Sequence, residues 1–357
     1  MGLPQIIIDL KYKASNFIRR SRRGIVVLIL ADDTDDTFTR KTYTNINEVE
    51  STDWTDANID YIKLAFLGEP YLVICERIAT SDSEEDDNEL SDALDRLKAT
   101  RFNYIAMPSA STTDTSAIST WIKGERTAKR TVKAVLANST SNDVGIINFT
   151  TEGIIVGNKV YGTAEYTARL AGIFAGISIA RSATYFVLDE VTAITSSATP
   201  DTDIDAGKLI LIDDGEKIKI GRAVNSKTTL TDDETEDMKK IKIIEGLDMI
   251  RDDVSMTFAD SYIGKVTNSY DNKVALCSAF NSYFKELVNE GVLYDAFDNS
   301  VSVDIESQIS YLRTHGVDVD NLTDEEIKNY NTGSYVFIAG NIQLQDAMED
   351  LKLTLNL

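Results

Sequence analysis

The chain changes its hydrophobic rhythm several times, and each change marks an element. Near the start Ile6, Ile8, Leu10 and Tyr12 alternate with Gln5, Ile7, Asp9 and Lys11. That period of two predicts a strand with one apolar and one mixed face. From Gly24 the alternation gives way to continuous apolar runs. Residues 25–30, 71–75, 102–107, 131–136 and 145–149 predict strands buried on both faces. Between them, 60–67 predicts a short helix ended by Gly68 and Pro70. Leu90, Leu94 and Leu97, spaced by four and three, predict a second helix, and 118–123 opens a third. The stretch 81–89 is almost wholly acidic and polar and predicts a solvated loop. Residues 164–180 form a helical pattern rich in small residues (Ala168, Ala171, Gly172, Ala175, Gly176), which predicts close backbone packing.

The pattern then becomes polar and β-rich. Short strands are predicted at 185–188, 208–212, 217–220 and 228–230, with turns at Gly215 and Gly221 and a loop over 196–205. Helical spacing returns in Ile250, Val254, Phe258 and Tyr262, and again in Val274, Cys277, Phe280, Phe284 and Leu287. Thr323 followed by Glu326 is a capping box that starts a short helix. Strands are predicted at 335–339 and 342–344. The last seven residues, 351–357, place leucine at every second position, with Lys352 the one charge among them.

Strand, helix and strand in alternation, with fully apolar strands, predicts an α/β fold: a mostly parallel sheet covered by helices. The expected organisation is an amino-terminal arm (1–23), an α/β domain (24–184), a small β-rich segment (185–240), an α+β C-terminal domain (241–345) and a carboxy-terminal arm (346–357). Two strand-like ends raise a question of pairing. A free strand edge is an aggregation hazard unless it is covered. Either the leucine strand pairs within its own domain, or it adds to a neighbour's sheet. The second alternating segment, set off by Arg19, Arg20, Arg22 and Arg23, favours exchange between subunits.

Charge narrows the function classes. With 36 basic and 58 acidic residues, the formal net charge is −22. Such a surface repels phosphate backbones and anionic lipid, so neither nucleic acid nor a membrane is an expected partner. The four arginines followed by the apolar run 25–30 have the look of a secretory leader. The run is short, however, and Asp32, Asp33, Asp35 and Asp36 follow in place of a small-residue cleavage site. No segment approaches the roughly 20 apolar residues of a spanning helix. Assembly in a cytoplasm is therefore expected. Cys75 and Cys277 both sit in apolar runs and are expected to be buried thiols.

Catalytic and cofactor chemistry is sparse. The single histidine, His315, is expected at a helix end. It excludes multi-histidine metal sites and leaves room for one Ser-His-Asp arrangement. The 176–180 stretch, Gly-Ile-Ser-Ile-Ala, misses the nucleophile elbow and falls within a predicted helix. No phosphate-cradling loop or dinucleotide fingerprint occurs. Residues 201–205 open like a calcium loop, but Ala206 and Ile212 stand where glycine and glutamate are needed. The four aspartates at 32–36 are expected to form a solvated loop. No cofactor, metal or catalytic residue is predicted. The competing class is a soluble α/β enzyme with an unrecognised site.

Three stretches, in order, resemble the contractile phage tail sheath family, in its compact form from a myophage or a phage-tail-like bacteriocin particle. The first runs from Gly162-Thr163-Ala164-Glu165-Tyr166 through Arg181-Ser182-Ala183-Thr184-Tyr185. The second runs from Gly246-Leu247-Asp248-Met249-Ile250 through Tyr262-Ile263-Gly264-Lys265-Val266 and Asp271-Asn272-Lys273. The third runs from Thr332-Gly333-Ser334-Tyr335 through Asp346-Ala347-Met348-Glu349-Asp350-Leu351. With Gly2-Leu3-Pro4-Gln5-Ile6 they span the chain, while 24–150 match mainly in element order. The resemblance implies a subunit that stacks as six-membered rings in a helical tube around an inner tail tube protein. It also implies contacts with baseplate and tail terminator proteins, and contraction that drives the tube through a target envelope. The sheath of a secretion-type machine shares the same subunit. By this resemblance the arms, through Ile6, Ile8, Leu10, Tyr12 and Leu351, Leu353, Leu355, Leu357, add strands to neighbours' C-terminal sheets. Arg19, Arg20, Arg22 and Arg23 are expected to meet an acidic neighbouring surface.

Overall fold

The computed structural model describes residues 18–80 and 89–355. The predicted strand carrying Ile6, Ile8, Leu10 and Tyr12, most of the acidic stretch and Leu357 lie outside the described residues. The chain divides into two compact units. The larger comprises Arg22–Asp248 with the residues from Asp346 onward. The smaller comprises Met249–Gln345 with the residues up to Ser21.

In the larger unit the elements run β1 (Ile25–Ala31), β2 (Arg40–Tyr43), α1 (Asp56–Phe66), β3 (Leu72–Ile78), α2 (Glu89–Leu97), β4 (Tyr104–Ala106), α3 (Thr112–Thr127), β5 (Lys133–Ala137) and β6 (Ile146–Phe149). They continue with β7 (Glu152–Val156), β8 (Lys159–Tyr161), α4 (Thr163–Gly176), β9 (Val191–Thr195), α5 (Pro200–Asp205), β10 (Lys208–Leu209), β11 (Leu211–Asp213), β12 (Ile218–Ile220) and the start of α6 (Ile241–Ser261). A seven-stranded sheet in the order β10-β6-β5-β4-β1-β3-β2 forms the centre. Its pairs are parallel except for the edge strand β2, which runs antiparallel to β3. This is the mostly parallel, helix-covered sheet that the apolar runs predict.

The register explains the runs. On β1, Val26, Leu28 and Leu30 enter the core cluster that includes residues of α1 and α4, while Ile25, Val27 and Ile29 enter the one that includes residues of α2 and α3. Both faces are covered, so no position on the strand is left polar. The small-residue helix, α4, packs against α1 with almost nothing between the backbones. A Cβ added at Gly172 would stand 2.1 Å from the Ala65 carbonyl oxygen, and one at Gly68 would stand 2.1 Å from the Gly172 carbonyl carbon.

The smaller unit contains the rest of α6, α7 (Tyr270–Asn289), β13 (Ser300–Val303), α8 (Ile305–Thr314), α9 (Asp324–Asn329) and β14 (Ile338–Asn341). Strands β13 and β14 pair antiparallel. Among the described residues no helix is long and apolar enough to cross a membrane.

The structure corrects several expectations. Residues 228–230 form no strand, and 185–188 contribute only an isolated bridge from Val187 to Lys219. The loop expected over 196–205 contains α5, started by Pro200 in its first turn. Helices α1 and α3 begin well before their apolar patterns, because Thr55 and Ser111 cap them in polar sequence. The small-residue helix stops at Gly176, so 176–180 sits at a helix end and not within one. The strands expected at 335–339 and 342–344 resolve into β14 and a single bridge at Leu344. Residues 351–355 adopt no strand.

A candidate assembly interface

The carboxy-terminal segment of the larger unit is pinned at its root and bare beyond it. Arg222 meets Glu349 at 3.5 Å and Asp350 at 2.7 Å. Ser182 and Thr184 donate hydroxyl hydrogen bonds to the Glu349 carboxylate at 2.9 and 2.6 Å. Lys240 pairs with Asp346. Past Asp350 these ties end: Leu351, Leu353 and Leu355 are 90%, 69% and 77% exposed. These apolar side chains, on alternate positions of the segment, are left open to solvent.

The amino-terminal root is pinned as well. In the smaller unit Ile18 is buried, the Arg19 N–H donates to Thr257 Oγ1 at 2.8 Å, and the Arg19 guanidinium meets Asp260 at 3.1 Å. Arg20 bridges Asp253 at 3.3 Å and Glu290, and the Ser21 N–H donates to Asp253 at 2.5 Å. In the larger unit Arg22 stacks over Tyr71 and Arg23 pairs with Glu245. The carboxylates that meet Arg19, Arg20 and Arg23 thus belong to the same chain. The arginines mark where the amino-terminal segment is anchored, and the leucines where the carboxy-terminal one is left bare.

The smaller unit presents a strand edge. Asn281 on α7 donates to the Val301 carbonyl at 3.1 Å and accepts from its N–H at 2.8 Å, closing the α7 side of β13. Val301 lies opposite Gly340. An antiparallel ladder turns alternate residues toward and away from the partner strand, so Gly340 faces away from β13. The same parity continues along the chain. The Gln343 N–H donates to Asn299 Oδ1, the Gln343 carbonyl accepts from Tyr294, and the Gln345 N–H donates to the Val292 carbonyl. Odd-numbered residues tie the strand inward. Even-numbered ones, Ile338, Gly340, Ile342 and Leu344, turn their N–H and C=O groups outward. Among the described residues nothing is bonded to that edge, and neither proline nor lysine blunts it.

Sequence reasoning missed a buried charge cluster in the larger unit. Lys133, 1% exposed on β5, reaches Glu245 at 2.8 Å and Asp248 at 2.9 Å on the first turns of α6. Arg126 grips both Asp248 oxygens at 2.9 and 3.1 Å, and the Tyr104 hydroxyl donates to Glu245. Burial pushes the Lys133 ammonium down to about 8. Burial works to raise the Asp248 carboxyl, but the Lys133 and Arg126 charges outweigh it and hold it below the usual carboxylate range. The available signal was a lone lysine inside an otherwise apolar strand run.

The aspartate cluster is corrected too. Asp32 is fully buried and structural: it accepts from the Thr55 N–H at 2.8 Å, Thr55 Oγ1 at 3.0 Å and Asn58 Nδ2 at 2.7 Å at the start of α1. No group of three or more potential ligands is placed to hold a metal among the described residues. His315 is the exposed cap residue of α8, its Nδ1 2.8 Å from the Tyr311 carbonyl. Cys75 and Cys277 are buried and free.

An open strand edge, a bare leucine row and ion pairs spent on anchoring describe a structural subunit rather than a catalyst. Comparison with known proteins gives the family. A model of the phage tail sheath protein central domain matches residues 83–226, and one of the phage tail sheath C-terminal domain matches residues 233–357. The tail sheath protein of Clostridium phage phiCD119 is 37% identical over 359 residues, covering 99% of this chain and 98% of that protein. The chain belongs to the phage tail sheath protein family. It is a structural, non-enzymatic component of a phage tail or phage-tail-like particle, and the enzyme alternative falls away. Solved structures share the fold. The anti-feeding prophage helical sheath in its contracted state aligns with TM-score 0.72 at 12% identity, over 100% of this chain and 99% of that one. A sheath tail protein from Desulfitobacterium hafniense aligns with TM-score 0.70 at 16% identity, over 85% of this chain and 94% of that one.

Proposed function

We propose that this subunit polymerises as stacked six-membered rings around an inner tail tube, and that strand exchange holds the polymer. The carrying observation is the outward edge of 338–345, open and unblunted, in a chain whose alternating leucines at 351–355 have nothing over them. Each arm adds a strand to the corresponding edge of a neighbour. The arginines at 19–23 and the carboxylates at 346–350 fix the roots, so that the segments beyond them act as hinges between rigid cores. Contraction then moves whole subunits and drives the tube through an envelope. The likeness to a helical sheath in its contracted state, and to a chain of the anti-feeding prophage baseplate, supports this reading. Tail terminator and baseplate proteins cap the tube, and assembly takes place in the bacterial cytoplasm.

Two variants test it. Deleting residues 351–357 removes Leu351, Leu353 and Leu355, which are largely exposed, so the subunit stays folded while tubes vanish from negative-stain micrographs. Ile342→Pro removes an outward N–H and no intrachain bond, so it too blocks tubes. Normal tubes from both variants would refute strand exchange.

A further inference from the structure

The smaller unit also holds a cleft of about 430 Å³, bounded by the end of α6, the start of α7 and residues 333–336. Its walls include Phe258, Ile263, Val266 and Leu276. Two polar side chains line it in a state that such walls do not satisfy. Lys273 is 2% exposed, and its Nζ reaches only neutral acceptors, Gln308 Oε1 at 3.1 Å and Thr332 Oγ1 at 3.2 Å. Burial lowers its ammonium from the ordinary lysine value. The Asn268 amide nitrogen donates to Thr332 Oγ1 and to the Gly333 and Tyr335 carbonyls, which leaves its Oδ1 buried without a donor. A buried ammonium with a spare proton beside an orphaned amide oxygen is a site lacking one carboxylate and one N–H donor.

We infer that this cleft receives the amino-terminal segment of a second copy, with Asp9 on Lys273, Ile7 against the apolar wall and a backbone N–H of the segment on Asn268. The inference rests on the arm-exchange reading and gives it a specific seat. Asp9 is the one acidic residue among residues 1–17, so it is the side-chain carboxylate that this segment can offer to Lys273. On a strand, residues two apart share a face, so Ile7 and Asp9 present an apolar group and an anion together. The leucine row at 351–355 is the wrong complement, because Lys352 would bring a second cation and the segment has no carboxylate.

Charge exchange in the full-length chain tests this, with the critical concentration for tube formation read by light scattering. Asp9→Lys and Lys273→Asp should each raise it about tenfold or more, the effect of losing one charge-assisted hydrogen bond. A mixture of the two variants should assemble near the wild-type concentration, as should the double variant. Rescue in the double variant but not in the mixture would show a contact within one chain and overturn the second-copy assignment. Wild-type assembly of both single variants would overturn the inference, and strand exchange would still stand if deleting residues 1–17 abolishes tubes. Normal tubes after that deletion would remove the reading beneath it. Should Lys273→Asp fail to fold by circular dichroism, Lys273→Met and Asp9→Asn take its place: each must raise the critical concentration, and their effects must not add.

Discussion

Gly172→Ala isolates the contact between α1 and α4. In an exposed helix, alanine improves on glycine by about 1 kcal/mol, because the unfolded chain has less freedom to lose. At Gly172 the new methyl carbon would stand 2.1 Å from the Ala65 carbonyl oxygen and 2.8 Å from its carbonyl carbon. Both are backbone atoms of a packed helix and have no rotamer to escape into. Overpacking of a core costs about 1–3 kcal/mol even where side chains give way. Here the upper end applies, and the net loss should be at least about 2 kcal/mol. Gly124 on α3 is the internal control, since its added Cβ meets nothing within 4 Å. Gly124→Ala should gain up to about 1 kcal/mol. Both tryptophans, Trp54 and Trp121, lie in the larger unit, so their emission during urea denaturation reports the unit that carries both glycines. A neutral or stabilising Gly172→Ala would refute the backbone contact.

Lys133→Met leaves Asp248 and Glu245 facing Arg126 and Arg23 without their shared cation, and should cost about 3–5 kcal/mol in the same denaturation assay. The lysine also predicts a pH dependence. Its folded value, about 8, lies below the unfolded one, so the unfolded chain binds more protons in between. The difference in stability between wild type and Lys133→Met should therefore grow as pH rises from about 8 toward 10, and a flat difference would exclude the assignment. Asp32→Asn should cost about 2 kcal/mol through its weakened bonds to Thr55. Although burial works to raise the Asp32 carboxyl, its hydrogen bonds from Asn58, Thr55 and Thr34 hold it below the ordinary value. Its contribution is therefore present above the unfolded carboxyl value and lost as pH falls through the folded one, which acid titration of both forms would show. Arg20→Met should release Asp253 and Glu290 and cost the smaller unit about 2 kcal/mol, read as faster hydrogen exchange in the Met249–Ser261 part of α6.

Much of the larger unit was legible because burial on both faces leaves an unbroken apolar run, as at Ile25–Ala31. The helix starts were not. Thr55 and Ser111 cap their helices before any apolar periodicity begins, and polar sequence carries no phase. Strands β2 and β7–β9 are short and mixed in burial, so their alternation falls below what a sequence window resolves. The leucine row was visible, yet its backbone state is not set by its own pattern: with no strand beside it, residues 351–355 have no ladder to join. The open edge was invisible for a different reason. It depends on which residues of 338–345 bond inward, and that parity is fixed by Asn281, Asn299 and Tyr294, far away in sequence.

The anchored roots and the bare leucines at 351–355 can be set against the charge of the chain. Copies carrying −22 repel one another, and the repulsion grows with every copy added. An interface built from surface ion pairs would be weak against that field, because exposed pairs contribute little and are screened by salt. The chain spends its cations inward: Arg19, Arg20, Arg23, Lys133, Arg222 and Lys240 all meet carboxylates of their own chain. Among the groups left open to a neighbour are main chain at 338–344 and leucine at 351–355. Backbone hydrogen bonds and apolar burial act at contact range and do not depend on net charge. Under the proposed strand exchange, such a joint would hold wherever the arms can reach, while the like-charged cores between them would stay free to slide. That combination would let one set of connections survive the two packings that the proposed contraction requires.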